Sequence, residues 1–166
     1  QIVRELGKFL DNGGIYKGHR PVLWSVVEKT ALADAEVEYE DHNSNTIYVK
    51  FKVTKSLINE LIDANIVIWT TTPWTIPGNR AVAYGKDLEY ALIEVTKTDN
   101  KSLANIGEKL VIAEELKEQV LTEIGINGSK VIKKFLGSHL KGSECEHPFK
   151  SLGYKFTVKA LEGDFV

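Results

Sequence analysis

The sequence predicts an α+β domain in which a mostly antiparallel or mixed β-barrel carries short helices at its periphery. About seven or eight short segments have the composition and alternation of strands. The helical segments are scattered among these strands and do not alternate with them strictly, and the 13 glycines are dispersed as turn residues. A doubly wound Rossmann sheet is therefore not predicted, because it needs regular strand and helix alternation.

Composition limits the functions to consider. The chain has 166 residues, of which 43% are hydrophobic and 27% charged, so it has the size and makeup of one globular domain. A net charge of -2 gives no global attraction for nucleic acid, so any RNA contact has to be local. Cys145 is the single cysteine, and no apolar stretch could span a bilayer or act as a signal sequence. These features predict a cytoplasmic protein; the absence of methionine, even at position 1, predicts a piece of a longer chain.

The first elements are predicted from periodicity. Residues 2–12 favour a short amphipathic helix, because apolar side chains fall on one helical face and Gly13 can end it. Residues 21–25 are expected to be extended. Apolar and polar residues alternate over residues 46–53, which predicts a strand with one buried face and one solvent-exposed face. Its inward residues are expected to be Ile47, Val49, Phe51 and Val53.

Two further helices are predicted among the remaining strands. Residues 56–65 have apolar residues at helical spacing behind a possible cap at Ser56. The inner stripe of another helix is predicted from Leu116, Val120, Leu121 and Ile124, and Gly125 can end this helix. The remaining strands are predicted at 66–69, 81–84, 89–95, 109–113, 130–136 and 154–161.

Most familiar catalytic patterns are missing. Neither GxxxxGK[ST] nor GxGxxG occurs, and no GxSxG turn is present, so nucleotide and serine-hydrolase chemistry are not supported. Only Cys145 and His147 approach metal-ligand spacing, and one pair is not a zinc site. The surrounding stretch SECEHPFK is predicted to be a turn that leads into a buried Phe149.

The stretch IVIWTTTPWTIPGNRAVAY, residues 66–84, places three threonines between two predicted strands. In extended backbone, Thr70 and Thr72 share one face and Thr71 points away, so two hydroxyls beside Trp74 could hold a polar ligand. The other interpretation is structural, because threonine favours strands and its hydroxyl satisfies nearby backbone groups. The residues alone leave both interpretations open.

The segment WTTTPWTIPGNRAVA resembles the threonine-rich peptide of the editing domain inserted in isoleucyl-tRNA synthetases of the bacterial type. GGIYKGHRPVLWSVVEKTALADAEVEYED, SHLKGSECEHPF and ALEGDFV are also similar to that family, so the resemblance covers most of residues 8–166. Valyl and leucyl relatives usually carry TTRP, so Thr72 favours the isoleucine enzyme. The resemblance implies a single editing-domain fragment over 1–166, with 1–25 as the helix and strand that lead in from the catalytic domain.

The resemblance also implies a function and a site. The domain would hydrolyse valyl-tRNA(Ile), and valyl-adenylate as a second substrate, and would spare isoleucyl-tRNA. Its catalytic residues would be Thr70 and Thr71, and its substrate-binding residues Thr72, Trp74 and Asn79. Its partners would be the aminoacylated 3′ end of tRNA(Ile), the valine moiety and the rest of the synthetase, with no membrane. The domain would need no metal or cofactor; ATP belongs to the catalytic domain of the full-length enzyme.

The chemistry needs no covalent intermediate, since a positioned water and hydroxyl donors can cleave an activated ester. In the family, a segment like GDFV precedes a GTGxVHxAPGHGxxD motif, whose aspartate takes the substrate's α-amino group. The sequence ends at Val166, before that motif, so we expect a recognisable fold and a half-built pocket.

Two alternatives stay open. A non-catalytic barrel could bind the single-stranded tRNA 3′ end, with Tyr48 and Tyr154 as stacking platforms, although half-buried packing of both tyrosines is the simpler interpretation. The editing domain of a valyl-type synthetase is the other alternative.

Overall fold

The computed structural model describes residues 1–166, which divide into two compact units, 1–42 and 43–166. The first unit contains helix α1 (Ile2–Asp11) and an antiparallel hairpin of strands β1 (Trp24–Ser25) and β2 (Thr30–Ala31). Helix α1 confirms the predicted helix over 2–12, and β1 occupies the end of the segment expected to be extended. The segment 1–25, which the resemblance assigns to the catalytic domain, lies within this unit.

The second unit is one mixed sheet of eight strands with one α-helix. The α-helix is α2 (Lys117–Glu123). The strands are β3 (Ile47–Lys55), β4 (Asn65–Thr70), β5 (Ala81–Tyr84), β6 (Glu89–Thr98), β7 (Lys109–Ala113), β8 (Ile126–Leu136), β9 (Glu144–Glu146) and β10 (Thr157–Glu162).

The order of the strands is β5-β10-β9-β3-β4-β7-β6-β8. The β10–β5 and β4–β7 pairs are parallel, and the other neighbours are antiparallel. The predicted α+β class and mixed sheet are confirmed. Closure into a barrel is not observed, because β5 and β8 are edges that do not pair with each other. The alternation of a strand reports which face is buried and carries no information about its neighbours.

Strand β3 shows the predicted alternation from Val49 onwards, but Ile47, which is predicted to face inward, is 37% exposed at the start of the strand. Phe51 and Val53 are fully buried, and Val49 packs against the same core. The opposite face is less exposed to solvent than expected, because Tyr48 packs against a second apolar cluster. Lys50 on this face pairs with Glu108 at 2.8 Å. The strand thus contributes to apolar packing on both faces.

The predicted helix over 56–65 is wrong. Only a short 3-10 turn forms there, Asn59–Leu61. The amide of Val53 donates to the carbonyl of Ala64 at 2.8 Å, and Asp63 takes a left-handed φ of 66°. These features return the chain into β4 in antiparallel register with β3. The pairing of the two strands therefore overrides the helical spacing of the apolar residues.

The C-terminal half follows the prediction more closely. Helix α2 confirms the predicted helix, and Gly125 ends it with a φ of 72°. Leu116, which is predicted on its inner stripe, lies in the preceding 3-10 turn, Glu114–Leu116, and is exposed. Strand β10 starts at Thr157, so the predicted strand over 154–161 begins three residues late. Neither α-helix combines the length and apolarity that a membrane crossing requires.

Candidate functional site

The threonines lie where β4 leaves the sheet. Thr70 is the last residue of β4 and pairs with Ile47 on β3. A 3-10 helix, Pro73–Gly78, follows, and β5 begins at Ala81. We call residues 70–80 the threonine loop. Because β3, β9 and β10 lie between β4 and β5 in the sheet, this loop crosses from one part of the sheet to its edge.

A chain of hydroxyl contacts occupies the start of the loop. The Oγ1 atoms of Thr70 and Thr72 lie 3.2 Å apart, and that of Thr75 lies 3.4 Å from that of Thr72. The Thr72 amide also donates to the Thr70 hydroxyl at 3.1 Å. Thr70 and Thr72 therefore share a face, as expected, but through a tight turn, since Thr72 has a ψ of only 65°.

Thr71 and Trp74 occupy more open positions. Thr71 is exposed, and its carbonyl accepts a hydrogen bond from the Ser44 hydroxyl at 3.0 Å. Trp74 is 70% exposed. The structure thus brings the hydroxyls of Thr70 and Thr72 together, while the side chains of Thr71 and Trp74 are available to a ligand.

Asn79 closes the loop. Its side-chain amide donates to the carbonyl of Ala81 at 2.9 Å, and its backbone amide donates to the carbonyl of Ile76 at the same distance. In this structure Asn79 shapes the loop. Its predicted contact with substrate stays a prediction.

His147 lies beneath the loop, a position that no sequence pattern predicts. The side chain is only 1% exposed, and its Nε2 atom lies 2.8 Å from the carbonyl oxygen of Ile76. The predicted turn over 143–150 is wrong at Glu144–Glu146, which form β9 and pair with β3 and β10. The predicted burial of Phe149 is also wrong in degree, because Phe149 is half-buried and His147 takes the interior position. The spacing of Cys145 and His147 is only a weak indication of a metal site. The resemblance of SHLKGSECEHPF to the family is the one sequence signal that points to this segment.

An aromatic cluster surrounds His147. Its members are His147, Phe149, Tyr154 and Phe156, with ring centroids between 4.8 and 6.3 Å apart. The guanidinium of Arg80 lies 3.6 Å from the centroid of Phe156 and extends the cluster to the end of the threonine loop. Cation–π contacts of this kind are favourable. The loop is therefore attached to a packed aromatic support.

The two tyrosines of the RNA-binding alternative are committed to packing. Tyr48 donates its hydroxyl to Glu123 at 2.5 Å, and burial together with this hydrogen bond raises the pKa of Tyr48 to about 12. Tyr154 stacks on His147 with centroids 5.0 Å apart. Neither ring is a free stacking platform.

Two cavities of the unit lie away from the threonines. One, of about 770 Å³, is lined by residues that include Tyr48, Lys50, Asp99 and Glu123. An apolar cavity of about 250 Å³ lies between β4 and β5, lined by residues that include Ile68, Trp69, Val82 and Tyr84 but none of the three threonines. No group of three or more histidine, cysteine or acidic side chains is placed to hold a metal ion. The threonine loop brings three hydroxyls into contact at a strand end.

The sequence pattern of the tRNA synthetases class I (I, L, M and V) matches residues 1–134, and the chain belongs to this family. Its relatives include an "Isoleucine--tRNA ligase" of Pelagibacter ubique, which is 54% identical over 166 residues. Proteins of the same name from Gluconobacter oxydans and Rhodopseudomonas palustris are each 48% identical over 168 residues. All of this chain is covered in each comparison, and it spans 17–18% of the length of these relatives.

Proposed function

We propose that this chain is the proofreading domain of a cytoplasmic isoleucine-tRNA ligase and hydrolyses valyl-tRNA(Ile), with valyl-adenylate as a second substrate. The observation that carries the proposal is the chain of hydroxyl contacts through Thr70, Thr72 and Thr75, at an exposed strand end in the segment that resembles the editing peptide. Membership in the class I family and the names of the relatives support it.

The need for such a domain follows from binding energetics. A synthetic site for isoleucine cannot strongly reject valine, because one missing methylene is worth only about 1–3 kcal/mol. A second site that admits the smaller valyl group and excludes the isoleucyl group hydrolyses the wrong product. The partners are the aminoacylated 3′ end of tRNA(Ile), its valine moiety and the rest of the synthetase.

Each residue of the threonine loop has a distinct role in the hydrolysis. Water attacks the ester carbonyl carbon, the bond to the ribose oxygen breaks, and the departing ribose oxygen takes up a proton from the water. Thr70 and Thr71 orient the water and donate to the developing oxyanion, which is effective when the donors are fixed in advance. Thr72 contacts the aminoacyl side chain, Trp74 forms a wall, and Asn79 keeps the loop in shape. A trapped acyl-enzyme would refute this direct attack.

This domain chemistry requires no metal or cofactor, and ATP serves the synthetic reaction of the full-length enzyme. The α-amino group of the substrate needs an anionic partner, because charged hydrogen bonds contribute about 1.5–3 kcal/mol. The family supplies that partner from the histidine and aspartate motif that follows the segment like GDFV.

The experiment places residues 1–166 in a full-length isoleucine-tRNA ligase, in exchange for the matching segment, so that the histidine and aspartate motif is present. Release of valine from valyl-tRNA(Ile) is measured for this graft and for a graft with Thr71→Ala and Thr72→Ala. Isoleucyl-tRNA(Ile) and threonyl-tRNA(Val) serve as competing substrates.

We expect the graft to release valine, to spare isoleucyl-tRNA(Ile), and to lose the activity in the double variant. If the graft binds the tRNA end but releases valine no faster than the double variant, the hydrolytic assignment fails and a binding role replaces it. A preference for threonyl-tRNA(Val) would reassign the domain to a valyl-type enzyme.

A further inference from the structure

The threonine loop is held in place by contacts with His147, and only the catalytic consequence of these contacts rests on the proposed function. His147 has two hydrogen-bonding contacts. Its Nδ1 atom accepts a hydrogen bond from the backbone amide of Phe149 at 3.1 Å, so Nδ1 carries no hydrogen. The hydrogen of the neutral ring is therefore on Nε2, which lies 2.8 Å from the Ile76 carbonyl oxygen and donates to it.

The Ile76 carbonyl is a junction of the loop. It accepts from His147 on one side and from the Asn79 amide on the other. Ile76 itself is only 4% exposed, so its side chain also anchors the loop in the interior. The residue before it, Thr75, donates both its amide and its hydroxyl to the carbonyl of Thr72, at 3.0 and 2.8 Å.

A continuous series of contacts therefore runs from the buried imidazole to the hydroxyls. We propose that His147 is a positioning residue of the threonine loop, whose neutral Nε2–H tautomer fixes Ile76 and, through Thr75, sets the place of the Thr72 hydroxyl. The aromatic cluster holds the ring itself, because Tyr154 stacks on one side and Phe156 packs at a centroid distance of 4.8 Å. His147 touches no substrate in this role.

Two substitutions separate the two contacts of the ring. In His147→Asn, the side-chain oxygen can still accept from the Phe149 amide two residues on, but the shorter side chain does not reach Ile76. In His147→Gln, the amide nitrogen stands near the position of Nε2 and can donate to the Ile76 carbonyl. The matched control is His139→Asn, since His139 is an exposed histidine outside the loop.

The first readout is independent of activity. Amide hydrogen exchange is followed in the 166-residue chain for the loop amides of Thr75 and Asn79 and for β6 as an internal reference. We expect faster loop exchange in His147→Asn, with His147→Gln and His139→Asn close to wild type and β6 unchanged. Loop protection in His147→Asn equal to that of wild type would overturn the proposal.

The tautomer gives a test that needs no variant to fold. Imidazole nitrogen resonances of the wild-type chain, assigned to His147 by direct correlation to the backbone, are expected to show the hydrogen on Nε2 and none on Nδ1. A hydrogen on Nδ1, or a doubly protonated ring at neutral pH, would overturn the proposal.

The last readout is hydrolysis of valyl-tRNA(Ile) by the graft. A displaced loop no longer orients the hydroxyls towards the water and the ester. We therefore expect kcat to fall roughly ten- to a hundredfold in His147→Asn, with a smaller change in KM, and to recover in His147→Gln. Equal losses in both variants would overturn the positioning role. If loop exchange and the tautomer behave as expected but the wild-type graft releases no valine, the proposed function fails while the loop attachment stands.

Discussion

The Oγ1 atoms of Thr70 and Thr72 lie 3.2 Å apart, and the Thr72 amide also donates to the Thr70 hydroxyl. Thr70 therefore serves the backbone of the turn and contacts the next hydroxyl with the same atom. The structural and the functional interpretations of the threonines are compatible, because a hydroxyl has one donor and two acceptor sites.

This relationship predicts the effect of Thr70→Val, which keeps the shape of the side chain and removes the hydroxyl. The Thr72 amide loses its partner, so we expect the free energy of unfolding to fall by about 0.5–1.5 kcal/mol. Denaturant unfolding of the 166-residue chain measures the change. Thr70→Ser retains the hydroxyl and is the control; a Ser variant less stable than the Val variant would contradict the turn as described.

Gly137 is expected to tolerate no side chain. A Cβ atom there would stand 2.0 Å from the Gly85 carbonyl oxygen and 2.8 Å from a ring carbon of Tyr90. Since the first contact is with backbone, Gly137→Ala is expected to destabilise the chain by about 3 kcal/mol, the upper end of overpacking effects. Gly78→Ala is the matched control, because a Cβ there meets nothing within 4 Å. Equal thermal midpoints for the two variants would refute the close approach.

The raised pKa of Tyr48 predicts that alkaline pH destabilises the wild-type chain more than Tyr48→Phe. Burial, followed by the hydrogen bond to Glu123, raises its pKa from 10.0 to about 12. A raised folded-state pKa means that its contribution to stability is complete below pH 10 and is lost as the pH rises towards 12. We therefore expect the free energy of unfolding to fall less steeply over this range in Tyr48→Phe than in wild type.

Urea unfolding at a series of pH values tests this expectation. Tyr84 and Tyr90, whose pKa values burial also raises, remain in both proteins, so the difference between the two curves isolates Tyr48. The acid limb gives an internal check. The hydrogen bond from Tyr48 is the main cause that lowers the pKa of Glu123, so wild type should also lose more stability than Tyr48→Phe as the pH falls through that lowered pKa. Parallel curves would show that the hydrogen bond between Tyr48 and Glu123 does not shift the pKa of either group.

Cys145 is expected to be inert in the folded chain. It is 1% exposed, and burial raises the pKa of its thiol from 9.0 to about 12, so little of the nucleophilic thiolate forms near neutral pH. A disulfide reagent at pH 8 should react slowly with the native chain and rapidly, with one thiol per chain, in denaturant. Rapid reaction in native buffer would show that the β9 region opens readily.

The local elements could be predicted wherever the pattern of side chains records burial. Phe51 and Val53 alternate with lysines, and the apolar stripe of α2 repeats at helical spacing, so both appear in the structure as expected. The segment 56–65 has the same kind of helical spacing and forms only a turn. Its last residues pair with Val53 of β3, since the Asp63 amide donates to the Val53 carbonyl at 3.0 Å and the Val53 amide donates to the Ala64 carbonyl at 2.8 Å. Pairing of this kind between two segments leaves no periodic pattern in the sequence.

At the site, residue types and the family resemblance predict a polar loop between two strands that contains the three threonines, Trp74 and Asn79, because both signals lie within one short segment. Tertiary structure alone decided that Thr70 and Thr72 meet through a turn, that the sheet stays open, and that His147 lies under Ile76. His147 and Ile76 are far apart along the chain. Their contact depends on the order of the strands, which places β9 and β10 beside the end of the loop, and no spacing within one segment records that order.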